Sequence, residues 1–102
     1  MLVADQRHAY TLTDRATYLA FKQRLTLVPI VEGDPRLLNV YHAYVVNPRI
    51  HPGIKASLGR AFVAFLVAPA TQRVIGRFGR SRFGEPLFVA DAGKTDAALG
   101  LH

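Results

Sequence analysis

Residues 39 to 47, Asn-Val-Tyr-His-Ala-Tyr-Val-Val-Asn, constrain the fold more than any other stretch of this chain. Read as a strand, they put Val40, His42, Tyr44 and Val46 on one face and Tyr41, Ala43 and Val45 on the other. Both faces are largely apolar, which predicts a central strand covered on both sides. Residues 26 to 32, Thr-Leu-Val-Pro-Ile-Val-Glu, predict a second strand from their β-branched content. Pro29 assigns that strand to an edge or a bulge. Gly33-Asp34-Pro35 is a turn, and Pro86 to Val89 read as a short last strand.

Helical spacing supplies the cover. Thr13 is a good N-cap for a first helix over residues 13 to 25, where Tyr18, Phe21 and Leu25 recur. A second helix is predicted from Ile54 to Leu66, with Ile54, Leu58, Ala61, Phe62, Phe65 and Leu66 as one apolar stripe. Gly59 inside it implies close packing. Pro69 suits the first turn of a third helix carrying Val74, Ile75 and Phe78, with Gly79 as its stop. The tail from Asp91 reads as small, polar and weakly structured. The fold class expected is therefore α/β, with helices covering a small sheet. Two convincing strands do not make a stable sheet alone, so the chain reads as part of something larger or one half of an assembly.

The chemistry concentrates at residues 9 to 19, Ala-Tyr-Thr-Leu-Thr-Asp-Arg-Ala-Thr-Tyr-Leu. An alternating segment, Tyr10 to Leu12, feeds into the Thr13 cap. Free N–H groups at such a turn, with the positive end of the helix dipole, can hold an oxyanion. Thr11, Thr13 and Arg15 add two hydroxyls and a fork of donors, and are the candidate ligand-binding residues. Ordinary capping is the competing role, and a negative Asp14 in the first turn repels an anion there.

With 102 residues, the sequence allows one small domain. Half the residues are apolar, which excludes a disordered tail, and the lack of cysteine excludes a disulfide framework or a Cys-based zinc site. A net charge of +6 favours anionic partners without choosing among nucleic acid, lipid and a small oxyanion. The longest apolar run, Ala61 to Ala70, is too short to span a bilayer. The first residues lack the basic start and apolar middle of a signal peptide, so no export signal is expected within this chain.

Other constellations are read as structural. Arg73, Arg77, Arg80 and Arg82 with Phe78 and Phe83 can serve single-stranded nucleic acid, but a solvated helix end is preferred. His8, His42, His51 and His102 match no metal spacing, and His42 is expected to be partly buried in its strand. Ser57 and Ser81 sit in no nucleophile elbow, and Glu32 with Asp34 is turn chemistry. No catalytic set emerges, so an enzyme is not expected, nor is a metal or cofactor.

Four segments together carry a family resemblance: the 9-to-19 stretch, Val31-Glu-Gly-Asp-Pro-Arg-Leu-Leu-Asn39, the strand ending Val45-Val-Asn-Pro48, and Phe78-Gly-Arg-Ser-Arg-Phe-Gly-Glu-Pro-Leu-Phe88. In order and spacing, from about residue 5 to about residue 92, the chain resembles the C-terminal part of the solute-binding protein of tungstate-type ABC importers. The resemblance implies the C-terminal portion of a type II periplasmic-binding-protein-like fold, with residues 1 to 102 as a single partial domain. It implies a two-lobed clamshell holding tungstate or molybdate by hydroxyls, N–H groups and an Arg, and an ABC permease as partner. It implies a periplasmic or extracellular location. The family's main anion contacts come from earlier motifs that these residues do not include, so Thr11, Thr13 and Arg15 are expected as secondary contacts. Binding without catalysis is the expected function. The alternative is an interaction or regulatory fragment that self-associates as a homo-oligomer. Nucleic acid is the disfavoured partner.

Overall fold

Helices, most of them only one or two turns long, are the main regular structure among the described residues. The computed structural model describes residues 1–101; His102 lies outside the described residues. In chain order the helices are α1 (Leu2–Gln6), α2 (Arg15–Phe21), α3 (Ala56–Val67), α4 (Pro69–Ile75), α5 (Arg80–Phe83) and α6 (Asp96–Leu99). Single 3-10 turns follow α2 at Lys22–Arg24 and occupy Pro35–Leu37.

No strand forms among the described residues. The expected α/β arrangement, a small sheet at residues 26 to 32, 39 to 47 and 86 to 89 under covering helices, is corrected to a helical chain with long irregular connections. With it goes the sheet of the expected type II periplasmic-binding-protein-like portion. The physical reason is pairing. A strand's N–H and C=O groups need a neighbouring strand. From Val40 to Val46 no main-chain hydrogen bond forms, and Val28 to Gly33 makes none either.

The helix boundaries follow simple rules. Asp14, not Thr13, caps α2, and the helix stops at Phe21 rather than Leu25. Ala68, preceding Pro69, sits at φ −60° and ψ 141°, because the ring disfavours helical geometry one residue before it. The chain therefore bends by 62° between α3 and the segment Pro69–Phe83. The freed Leu66 carbonyl accepts from Gln72 Nε2 at 2.8 Å, and Gln72 Oε1 accepts from the Ala92 N–H at 3.1 Å. One glutamine thus ties the bend to the tail, which contains the single turn α6 capped by Thr95.

Packing is sparse. Leu19 and Ala56 are the only buried apolar residues among those described. The side of α3 that packs runs through Ala56, Gly59, Val63 and Leu66, and the larger residues expected to face a core, Leu58, Phe62 and Phe65, are exposed. The side is chosen by Gly59, where a Cβ would lie 3.3 Å from Val45 Cγ1. Phe88 stands between Tyr41 and Phe78, with ring centroids 6.4 Å and 6.1 Å away respectively, and this cluster joins the 39-to-47 segment to the C-terminal part. The chain exposes 8637 Å², whereas a compact monomer of this length exposes about 5,700 Å². Its radius of gyration is 17.6 Å, against about 13 Å for a compact domain.

Gly79 lies at φ +85°, and a Cβ built there meets Leu87 Cγ at 2.6 Å. The Leu87 N–H donates to the Phe78 carbonyl at 2.9 Å, fixing that approach. Gly84, at φ +83°, has nothing within 4 Å. Gly79→Ala is expected to destabilise the chain by at least about 1 kcal/mol more than Gly84→Ala, since both share the left-handed strain and one adds a clash. Urea titration followed by circular dichroism measures the difference.

Candidate functional site

The corner that links Tyr10 to α2 is held by its own side chains. Asp14 Oδ1 accepts from the Thr17 N–H at 2.8 Å, and its Oδ2 accepts from Thr17 Oγ1 at 2.7 Å. Those bonds, the Thr17 N–H first, hold the Asp14 carboxyl below the ordinary carboxylate range. The end of α2 expected to receive an anion is therefore already met by a carboxylate.

Thr11 and Thr13 are exposed, and each hydroxyl reaches only the next residue's carbonyl, at 3.5 Å. Arg15 projects from the first turn of α2 toward the C-terminal part. One of its terminal nitrogens donates to the Pro86 carbonyl at 3.0 Å, and the other pairs with Glu85 Oε2 at 2.9 Å. Thr11, Thr13 and Arg15 are all exposed, and Arg15 is oriented by a partner 71 residues away. A guanidinium has five N–H donors, so the two bonds leave others free. Asp14 and Glu85 place negative charge beside the same donors.

Sequence reasoning missed two ties. Besides Glu85, Asp5 of α1 was given no role. Its Oδ1 accepts from the Thr26 hydroxyl at 2.7 Å, the Thr26 N–H at 2.8 Å and the Leu27 N–H at 3.0 Å. The Thr26 hydroxyl above all keeps this carboxyl low in pKa. It meets the end of the segment expected to be a strand. The Tyr18 hydroxyl reaches the Leu27 carbonyl beside it, at 3.3 Å. No local pattern signals either tie, because the partners are far apart in sequence.

The remaining candidates stay scattered. His42 is exposed rather than partly buried. With no sheet to cover it, it stacks on Tyr44, ring centroids 6.0 Å apart, and its Nε2 lies 3.9 Å from Asp96 Oδ1. Among the described residues, no group of three or more His, Asp or Glu is placed to hold a metal. Asp34 accepts from the Arg36 N–H at 2.9 Å and pairs with its guanidinium at 2.7 Å, as turn chemistry requires. Arg77, Phe78, Ser81, Arg82 and Phe83 line an open hollow of about 520 Å³ between α4 and α5.

Residues 2–70 match the PBP superfamily domain. The chain belongs to the PBP superfamily. Two curated relatives extend the likeness over nearly all of this PBP-superfamily chain. One is the tungstate-binding protein TupA of Peptoclostridium acidaminophilum, 40% identical over 92 residues, which are 90% of this chain and 32% of the relative. Another is a putative ABC transporter anion-binding protein of Haloferax volcanii, 35% identical over 107 aligned positions, covering 100% of this chain and 31% of the relative. The PBP-superfamily chain spans about a third of the length of these relatives. Both are named as binding proteins and neither as an enzyme. No solved structure matches the chain.

The Asp14 cap has a pH signature. A carboxyl whose pKa is lowered in the folded chain stabilises above its unfolded value of 3.8 and loses that contribution as pH falls through the folded value. Circular dichroism is expected to report loss of α2 helicity below pH 3.8. At neutral pH, Asp14→Ala costs about 1 kcal/mol, whereas Asp14→Asn keeps the cap and removes Asp14's share of the acid dependence, leaving that of Asp5 and Asp34.

Proposed function

We propose that residues 1 to 102 are one partial domain of an oxyanion-binding protein of an ABC importer, with tungstate or molybdate as ligand and an ABC permease as partner. Its action is binding and release, without catalysis, in a periplasmic or extracellular setting. The observation that carries this reading is the 40% identity to a tungstate-binding protein over 90% of the chain. The exposed flank supports it: about 2,900 Å² of surface beyond that of a compact monomer awaits cover. Such an area suits the contact between a segment and the rest of a larger polypeptide better than a free-standing domain.

In this reading Thr11, Thr13 and Arg15 are secondary ligand contacts. Two hydroxyls and the spare guanidinium N–H groups give a dianion neutral and charged donors on one corner. Asp14 and Glu85 oppose it there, so most of the affinity comes from elsewhere in a full-length protein. Calorimetric titration of the chain with tungstate, molybdate, sulfate and phosphate tests the ligand. Heat with tungstate or molybdate is expected, weakened in Arg15→Gln and in Thr11→Ala/Thr13→Ala. Heat from none of the four would reduce the relationship to shared ancestry.

The uncovered surface also supports self-association of the isolated chain into a homo-oligomer. Size-exclusion chromatography with light scattering at micromolar concentration is expected to give a mass above that of one chain. A well-folded monomer would remove this part of the proposal.

A further inference from the structure

Charge is divided unevenly along the sequence. Between residues 35 and 84 there are eight Lys and Arg residues and no Asp or Glu. The seven acidic residues all lie outside that span. Of the eight cations, Arg36 alone forms an ion pair among the described residues, with Asp34 at the edge of the span. The densest part, Arg73, Arg77, Arg80 and Arg82, is exposed and lies on α4, α5 and the turn joining them.

Apolar groups are exposed among these cations. Val74 and Phe78 are 66% and 57% exposed. Both line the same hollow as Arg77, Ser81 and Arg82. Arg82 lies 5.3 Å from the centroid of the Phe83 ring, keeping the cation at an aromatic surface. A phosphate-bearing polymer in water would pair with the arginines and stack a base on Phe78, but it would leave the exposed aliphatic Val74 without a partner. A surface that is anionic outside and apolar just beneath engages both sets together.

We propose that the α4–α5 segment docks on an anionic phospholipid surface. Arg73, Arg77, Arg80 and Arg82 pair with headgroup phosphates, while Val74 and Phe78 enter the boundary between headgroups and acyl chains. Docking in this proposal is peripheral: no single helix among the described residues is long and apolar enough to cross a membrane, and α3 with Pro69–Phe83, which together reach that length and composition, are bent by 62°. The proposal needs no bound oxyanion, and it takes the α4–α5 face to lie outside the surface that the rest of a larger polypeptide covers.

Vesicle flotation of the full chain tests it. Vesicles of phosphatidylcholine alone are compared with vesicles containing one-third phosphatidylglycerol. Binding is expected to the anionic vesicles only, and to fall as salt rises, because exposed charges are screened. Arg77→Gln/Arg82→Gln is expected to weaken it about thirtyfold. Phe78→Ser is expected to weaken it at unchanged charge. Circular dichroism checks that both variants keep the parent's helicity, and the remote variant Lys22→Gln is expected to leave binding unchanged. Equal binding to neutral vesicles, no binding to anionic ones, or insensitivity to all the α4–α5 variants would overturn the proposal. So would single-stranded oligonucleotide that binds more tightly than the vesicles and displaces them from the same arginines.

Discussion

The absence of main-chain pairing in the middle of the chain governs the rest of this structure. From Val40 to Val46 the backbone pairs with nothing, although the side chains there are those of a buried strand. A backbone left to water gains no net benefit from its apolar side chains unless another surface covers them. Tyr41 and Tyr44 accordingly stand in solvent, and the helices have no sheet to pack upon. The wide apolar side of α3 is exposed for the same reason.

What order there is comes from individual polar side chains, each joining a few main-chain groups. Asp5 gathers residues 26 and 27, Asp14 closes the first turn of α2, Arg15 reaches residues 85 and 86, and Gln72 joins the α3–α4 bend to Ala92. These are exposed or half-exposed bonds, each contributing modestly in water. They hold distant segments in register without supplying the burial that stabilises a domain.

The sequence foretold elements governed by local rules. Pro69 as the first residue of a helix and Gly59 as a close approach both follow from the chemistry of a single residue. The strands were legible as side-chain patterns but could not form, because pairing is a property of two segments and alternation describes only one. The α3 stripe was read from size and period. The helix instead turns toward Val45, which lies against Gly59. At the candidate site, Thr11, Thr13 and Arg15 were legible as donors near a helix start. The Glu85 contact that aims Arg15 was not, since nothing in either local sequence refers to the other.

The elbow at Ala68 and Pro69 fixes more than a change of direction. Were α3 and α4 continuous, residues 56 to 75 would make a straight rod about 30 Å long. Proline forbids that rod, and the glutamine one turn later fastens the C-terminal tail across the gap. The tail therefore travels with the elbow. In any larger machine that includes this segment, a movement of the two helices that keeps the Gln72 bonds carries the residues around Ala92 along with it.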